Sequence, residues 1–242
     1  MSQPAGDKRR PAPWGPVRQE SQEPATRSAR RHRSSLREVL GTLVAAILVS
    51  LFVKTLLIQA FLIPSGSMEP TLHGCPGCLD DRVLVSKLTT RLGGVHRGDI
   101  VVFHDSSGWL PSTSSARGSE LQDRVHDTLA MIGLAASSNE GDLIKRVMGV
   151  GGDTVEGRDG NLYVNGTRVK EPYVFPGDSP SETDFTVLVP VGRLWVMGDH
   201  RAESADSRFH VHDPGRGFVP TTDVVGRAFV IVWPLDRVGS LT

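Results

Sequence analysis

The chain has 242 residues, which suits one globular domain with appended segments. Its 27 basic and 27 acidic side chains give a formal net charge of zero, so no overall field attracts nucleic acid and none is expected as a partner. Two cysteines, Cys75 and Cys78, are too few for a fold built on disulfides.

A polar tail precedes a long apolar segment. Residues 1–35 are rich in Pro, Ser, Gln and Arg and poor in aliphatic side chains, so they are expected to be disordered. No charge interrupts the next segment from Val39 to Val53, and apolar residues resume after Lys54. This pattern over residues 36–60 predicts a transmembrane helix whose lysine reaches one interface of the bilayer.

The charges around this segment predict how it is oriented. Arginines cluster before it, which predicts a cytoplasmic N-terminus and an extracytoplasmic domain over residues 61–242. A buried core helix and a cleavable signal peptide are the alternatives. The segment is apolar all round, is long for a signal peptide and is followed by no A-x-A-like cleavage site, so an uncleaved single-pass anchor is favoured.

Beyond residue 60 the chain changes to short β-branched runs bounded by Gly, Asp or Pro. They predict strands within residues 80–88, 98–103, 142–150, 194–197 and 226–233. Asn165-Gly166 predicts the turn of a β-hairpin. The fold class is therefore mainly β: an antiparallel catalytic sheet with a small helical insert, tethered by one N-terminal transmembrane helix.

The insert covers residues 105–141 and interrupts the strand pattern. Apolar residues between Glu120 and Ala135 recur at helical spacing, which predicts one short helix. This helix, with Trp109 and Leu110 before it, could touch lipid, cover a site as a lid, or pack against the domain. The sequence leaves these three roles open.

Three polar segments could supply catalytic groups. The first, Ile63–Leu72, reads I-P-S-G-S-M-E-P-T-L and taken alone is typical of a turn. The second, Asp142–Asp153, begins with a predicted strand that carries Lys145 and Arg146 on opposite faces. The third, Met197–His210, is dense in turn formers and charges and taken alone is typical of a solvated loop.

Lys145 is the residue in these segments with the most specific chemistry. If both faces of its strand are covered, one face must bury a cation. Arginine keeps its charge when buried, whereas a desolvated lysine can become neutral and accept a proton from a serine hydroxyl. The alternative is an edge strand whose lysine points to water.

Together and in this order, the segments resemble the bacterial type I signal peptidase family. The matching strings are P-S-G-S-M-x-P-T-L, R-G-D-I-V-V-F, D-L-I-K-R-V and G-D-x-R-x-x-S-x-D-S-R. The resemblance runs from about Leu36 to the last strand and is weak in the insert. It implies a monomeric serine endopeptidase of the bacterial plasma membrane, with a mainly β catalytic domain, no cofactor and no metal. Its partners would be the lipid bilayer and the signal peptides of secreted preproteins, cleaved after small residues in an A-x-A-like pattern.

The resemblance also implies roles for single residues. Ser67 would be the nucleophile and Lys145 the general base. The Ser65 hydroxyl and the Ser67 backbone N–H would bind the oxyanion, while Ser204 would orient the Lys145 amine. Structural ion pairs would join Asp199 to Arg146 and Asp206 to Arg208. The substrate pockets would be lined by Ile63, Pro64, Met68, Leu72, Leu143 and Ile144.

Two positions depart from the family pattern, and both lie in the third segment. His200 stands where the family usually has asparagine, and Ala202-Glu203 stands where it often has Asp-Asn. These changes alter the loop surface and leave the assignment of Ser67 and Lys145 intact.

Cys75 and Cys78 lie close together in His73-Gly-Cys-Pro-Gly-Cys78, and three states are open to them. A local disulfide is favoured in an oxidising outer compartment, ahead of free thiols. A zinc site would need four ligands, and no fourth ligand is evident. A redox pair would normally open a helix in a βαβ unit, which is absent here.

Other functional classes fit the sequence less well. A Ser-His-Asp hydrolase with a nucleophile elbow needs G-x-S-x-G, and a penicillin-binding enzyme needs S-x-x-K; neither string occurs. Self-cleaving repressors of the DNA-damage response are soluble and carry a DNA-reading helix. A membrane-tethered β module that only binds a partner would give no purpose to a serine and a lysine placed together.

Overall fold

The computed structural model describes residues 36–74, 77, 79–110 and 141–241. The predicted disordered tail, the helix predicted between Glu120 and Ala135, and the pair Cys75 and Cys78 lie outside the described residues. Contacts divide the chain into two units, 1–41 and 42–242.

The apolar segment after the tail forms the helix α1, Leu36–Leu56, and the side chains of residues 37–50 are exposed. Within the part of the chain that the structure describes, no helix has the length and apolar character needed to span a membrane. Residues 58–60, at the end of the predicted anchor, belong to the first strand of the sheet.

The second unit is mainly antiparallel β, as predicted. Its strands are β1 Ile58–Leu62, β2 Arg82–Ser86, β3 Ile100–His104, β4 Asp142–Val150, β5 Thr154–Arg158, β6 Asn161–Val164, β7 Thr167–Arg168, β8 Phe185–Leu188, β9 Arg193–Met197, β10 Phe218–Pro220, β11 Val224–Trp233 and β12 Gly239–Ser240. The described strands form a large sheet in the order β1-β2-β11-β3-β4-β9-β10, with β12 paired to β11, and a small sheet in the order β7-β6-β5-β8.

β4 is an interior strand of the large sheet, between β3 and β9. Lys145 faces Val101 of β3 in the register, and Arg146 faces Ile100 of β3 and Met197 of β9. Both cations are buried, with Lys145 4% and Arg146 2% exposed. The alternative of an edge strand with a solvated lysine is therefore wrong.

The segment after β1 packs against the large sheet rather than extending into solvent. Met68 and Leu72 share a buried cluster with Val83 of β2, Val102 of β3 and Ile144 of β4. In a flat sheet, strands as far apart in the order as β1 and β4 would be separated by roughly 19 Å, given a spacing of about 4.8 Å per strand. Packing of this segment across the sheet brings the residues after β1 to β4.

The small sheet confirms the predicted hairpin and shows why its turn forms. β6 and β7 pair around Asn165 and Gly166, whose φ angles are +52° and +75°. Two consecutive residues with positive φ are characteristic of the type I′ turn, for which Asn-Gly is the preferred pair. The Asn165 side chain also accepts the N–H of Thr154 at 2.9 Å, which fixes the turn against β5.

One short helix was not predicted from the sequence. The strand predicted over residues 80–88 ends at Ser86, and residues Lys87–Gly93 form the helix α2. The helix ends where Gly94 takes a φ of +75°, a conformation that commonly terminates helices. The β-branched run before Ser86 favours a strand, so nothing in the sequence indicated that a helix begins at Lys87.

Gly226 of β11 should be intolerant of any side chain, because a Cβ there would lie 2.5 Å from the Ser86 carbonyl oxygen and 2.8 Å from the Val85 Cγ1. Gly226→Ala is expected to lower the free energy of unfolding by about 2 kcal/mol, the usual range for overpacking. Gly93→Ala is the control, since nothing lies within 4 Å of its added methyl. Urea unfolding of both variants measures the difference, and equal stabilities would contradict the packing described for β11.

Candidate active site

Ser67 lies in a short 3-10 turn, Gly66–Met68, directly after the first strand. The Ile63 N–H donates to the Asp81 carbonyl at 3.0 Å, and the Leu72 N–H donates to the Met68 carbonyl at 2.9 Å. Met68 and Leu72 are fully buried and anchor the turn in the core, while Ser67 remains 8% exposed. The backbone therefore fixes the serine at the surface of the core.

The Lys145 amine lies 2.6 Å from the Ser67 hydroxyl oxygen. β4 supplies the lysine and the turn after β1 supplies the serine, and the long-range packing described above brings the two together. Both side chains are buried. The contact has the hydrogen-bond distance that proton transfer between a base and a nucleophile requires.

Burial lowers the pKa of Lys145 from 10.5 to about 8, because desolvation disfavours the ammonium form. The carboxylates of Asp206 and Asp199 act in the opposite direction and raise this pKa. An amine with a pKa near 8 is neutral in a useful fraction of molecules close to neutral pH. Lys145 therefore has the protonation chemistry of a general base.

Ser65 and Ser204, the two other serines expected at the site, differ in their contacts. The Ser65 hydroxyl oxygen is 3.3 Å from that of Ser67, and Ser65 is exposed. The Ser204 hydroxyl is buried and has no hydrogen-bond partner among the described residues. The hydrogen bond expected between Ser204 and the Lys145 amine is therefore not formed in this structure.

Gly198 allows the third segment to approach the serine. A Cβ at this position would lie 2.4 Å from the Ser67 carbonyl oxygen and 2.2 Å from the Ser204 hydroxyl oxygen. The His200 N–H also donates to the Ser67 carbonyl at 3.2 Å. The backbone of the third segment therefore packs directly on the backbone of the turn that carries Ser67.

Arg146 and Asp199 form a buried two-point ion pair behind the site. The guanidinium donates to the two carboxylate oxygens at 2.8 and 2.7 Å. The Thr71 hydroxyl donates to the same carboxylate at 2.5 Å, and the Tyr173 ring lies 3.9 Å from the guanidinium carbon. The pair expected from the sequence is present, and it links β4 to both of the other polar segments.

The expected contact of Asp206 with Arg208 is also present. The guanidinium donates to the two Asp206 oxygens at 2.9 Å each. Asp206 additionally accepts the backbone N–H of Gly198 at 3.0 Å. This carboxylate therefore holds the glycine that packs against Ser67.

Sequence reasoning missed a buried ion pair between Arg201 and Glu171. Arg201 is 1% exposed, and it donates to the Glu171 carboxylate at 2.5 Å and to the Gly198 carbonyl at 2.8 Å. It also donates to the Pro180 carbonyl. Nothing in the sequence around Glu171 marks it as the partner of Arg201.

An apolar cleft of about 300 Å³ opens beside Ser65 and Lys145. Four of the residues expected to line substrate pockets line this cleft: Ile63, Pro64, Leu143 and Ile144. Met68 and Leu72 do not line it, because both are fully buried in the core cluster beneath. Their role in the structure is to support the turn that carries Ser67.

Trp109 and Leu110, at the start of the insert, have separate environments. Trp109 is 8% exposed and packs in a core cluster with Phe103 and Val147, which leaves little of its surface for contact with lipid. Leu110 is 37% exposed and lines the cleft. Of the three roles considered for the insert, Trp109 therefore has the packing role.

Comparison with known proteins agrees with the family resemblance of the sequence motifs. The family described as "Signal peptidase, peptidase S26" matches residues 36–233. The probable signal peptidase I of Mycobacterium leprae (strain TN) is 41% identical over 234 residues, which cover 87% of this chain and 81% of that protein. The signal peptidase I of Mycobacterium tuberculosis (strain ATCC 25618 / H37Rv) is 42% identical over 223 residues, or 86% of this chain and 76% of that protein.

A solved structure also matches. The crystal structure of a signal peptidase I from Enterococcus faecalis V583 shows 27% sequence identity and covers 55% of this chain and 95% of that chain, with a TM-score of 0.35. A TM-score this low supports no argument about the fold.

The chain belongs to the signal peptidase family, peptidase S26. Within that family its curated relatives are signal peptidases of type I, so the chain is an enzyme of the signal peptidase I class, whose reaction is the removal of signal peptides. The resemblance found in the sequence motifs is thus confirmed.

Gly198→Ala is expected to lower kcat/KM by about a hundredfold, the effect of a displacement of about 1 Å at a reacting group. The added methyl would meet the Ser67 carbonyl and the Ser204 hydroxyl, so the nucleophile's turn must move. Gly239→Ala is the control, because its nearest new contact is at 3.8 Å. Steady-state cleavage of a signal peptide substrate measures both, and wild-type kcat/KM in Gly198→Ala would contradict the proposed packing.

Proposed function

We propose that this signal peptidase cleaves its substrates as a serine endopeptidase, with Ser67 as nucleophile and Lys145 as general base. The observation that carries the proposal is the 2.6 Å contact between these two buried side chains, which are far apart in the sequence. A buried lysine of lowered pKa beside a serine is the arrangement that an amine-activated nucleophile requires.

The reaction begins with the neutral Lys145 amine, which accepts the hydroxyl proton as the Ser67 oxygen attacks the scissile carbonyl. The oxyanion of the tetrahedral intermediate accepts hydrogen bonds from the Ser67 backbone N–H and the Ser65 hydroxyl, and one such donor is typically worth about 3 kcal/mol. The protonated lysine then gives its proton to the leaving amine. Water activated by the same amine attacks the acyl-enzyme and releases Ser67.

The two nearby carboxylates support this proton transfer. Asp206 and Asp199 raise the pKa of Lys145 against the larger effect of burial, so they stabilise the ammonium that forms when the serine is deprotonated. Burial alone would give a neutral but weak base. Burial together with the two carboxylates gives an amine that is about one-tenth neutral at pH 7 and still able to hold the proton in the transition state.

The cleft indicates the kind of substrate. Its apolar walls come from β1, the segment after it, and β4. Residues 142–145 of β4 pair with β3 on one side, and pairing with β9 begins only at Arg146. An extended peptide could therefore add as a strand beside residues 142–145, with small apolar side chains entering the cleft. This agrees with cleavage of the signal peptides of secreted preproteins after small residues in an A-x-A-like pattern.

We also propose that the predicted anchor, residues 36–60, attaches the enzyme to the plasma membrane with the N-terminus in the cytoplasm. The apolar run from Val39 to Val53 and the arginines before it support this topology. Ser67 follows α1 closely in the chain, separated from it by β1 and a short turn. The active site would then lie near the outer bilayer surface, where the end of a translocated signal peptide emerges.

Lys145→Arg and Ser67→Ala should both abolish cleavage of a peptide containing an A-x-A site. Arginine stays protonated and cannot accept the serine proton. In the wild type, kcat/KM should fall about tenfold per pH unit below pH 8, because Lys145 becomes protonated below its pKa of about 8.

Lys170→Arg is the matched control for this experiment, since Lys170 is exposed, and its profile should follow the wild type. The measurement is kcat/KM against pH for the wild type and the three variants. If Lys145→Arg cleaves at near the wild-type rate, Lys145 is not the base and the proposed mechanism is wrong.

The proposed topology predicts that external protease added to intact spheroplasts digests the chain beyond residue 65. A full-length chain carrying a tag after its last residue should lose that tag, whereas a cytoplasmic marker protein should survive. Detergent lysis controls for access to both. A tag protected until lysis would refute the orientation.

A further inference from the structure

A fixed turn begins the 105–141 segment at the rim of the cleft. The Asp105 carboxylate accepts the backbone N–H of Trp109 at 2.9 Å and that of Leu110 at 2.7 Å. The Trp109 ring packs edge-on against Phe103, with centroids 5.7 Å apart, and stacks on His210 at 4.4 Å. The backbone that carries Leu110 is therefore held by two hydrogen bonds and by a buried aromatic neighbour.

The strand register shows which end of the cleft Leu110 borders. His104 of β3 faces Asp142 of β4, and the Asp105 N–H donates to the Gly141 carbonyl at 2.8 Å. The turn therefore leaves the sheet at the Asp142 end of β4. Lys145, three residues further along the strand, marks the catalytic end of the same cleft.

The spacing along β4 identifies the part of the substrate that would reach Leu110. A strand rises about 3.3 Å per residue, so Asp142 and Lys145 are separated by roughly 10 Å along the strand. In an extended peptide, alternate side chains point to the same side. We place the residues before the scissile bond along this stretch of β4, so that the first of them lies at the Lys145 end and the third lies toward Asp142.

We propose that Leu110 is a specificity-determining residue, whose side chain limits the size of the third substrate residue before the scissile bond. The proposal rests on the proposed function of the cleft. Leu110 lines the cleft together with apolar residues of β1 and β4, so the size of its side chain sets part of the space available to a substrate side chain there. It does not contact the reacting atoms, so its effect is confined to substrate choice.

The test uses two series of peptides with the purified full-length enzyme. One series carries Ala, Val, Leu or Phe at the third position, and the other carries Ala, Val, Leu or Phe at the first. In Leu110→Ala the wild-type preference for Ala over Phe at the third position should shrink by about tenfold, the usual effect of one changed apolar contact in a pocket. The preference at the first position should stay the same.

Leu110→Trp is a second variant, in which the preference for small residues at the third position should change in the opposite direction. It should sharpen the preference against large third residues, with Val and Leu falling relative to Ala. Leu188→Ala is the control, because Leu188 is an exposed leucine of the small sheet and does not line the cleft. It should match the wild type in both series.

Unchanged third-position preferences in both Leu110 variants would overturn the proposal, as would equal shifts in the two series, which would indicate a general disturbance of the site. Either result is compatible with Ser67-dependent cleavage, so the proposed function would stand. If Ser67→Ala still cleaves, the proposed function itself is wrong, and this outcome is scored independently of Leu110.

Discussion

The structure depends on how one interior strand buries two adjacent cations. β4 carries Lys145 and Arg146 at consecutive positions, which point to opposite faces of a sheet covered on both sides. Arg146 keeps its charge and has a two-point carboxylate partner in Asp199. Lys145 lies against a serine hydroxyl and loses part of its proton affinity to desolvation. The buried ion pair and the proposed catalytic pair thus come from adjacent residues of one strand.

The segment from Met197 to His210 connects these pairs to the rest of the domain. Asp199 joins β4, Asp206 holds Gly198 through its backbone N–H, and Arg201 reaches Glu171 in the connection between the small sheet's strands. Removing one partner from the Asp199–Arg146 or the Arg201–Glu171 pair is expected to cost about 3–5 kcal/mol, because the charge left behind is buried without a partner. Both carboxylates that raise the pKa of Lys145, Asp206 and Asp199, lie in this segment.

Local patterns predicted those parts of the fold that local chemistry decides. The alternation around Lys145 and the Asn165-Gly166 turn follow from neighbouring residues, whereas the pairing of Asp206 with Arg208 was implied by the family resemblance. The remaining features depend on contacts between distant segments. The sequence around Glu171 does not indicate that it pairs with Arg201. Met68 and Leu72 are core residues because of long-range packing. The helix that begins at Lys87 follows a run with strong β propensity, which hides its start. The family resemblance supplied the pairing of Ser67 with Lys145, which no local pattern could provide.

The hydrogen bond from Asp105 to the Gly141 carbonyl has a consequence for how this enzyme can diversify. It joins the two ends of the 105–141 segment at the end of the β3–β4 ladder, so the sheet pairing is complete without the residues between them. Lengthening a closed loop costs little, about 0.6 kcal/mol for each doubling. The residues between Leu110 and Gly141 can therefore change in number, or be replaced by a foreign segment, at small cost to the contact between Ser67 and Lys145, provided that the turn from Asp105 to Leu110 is kept. The junction is a natural point for modular exchange in protein engineering.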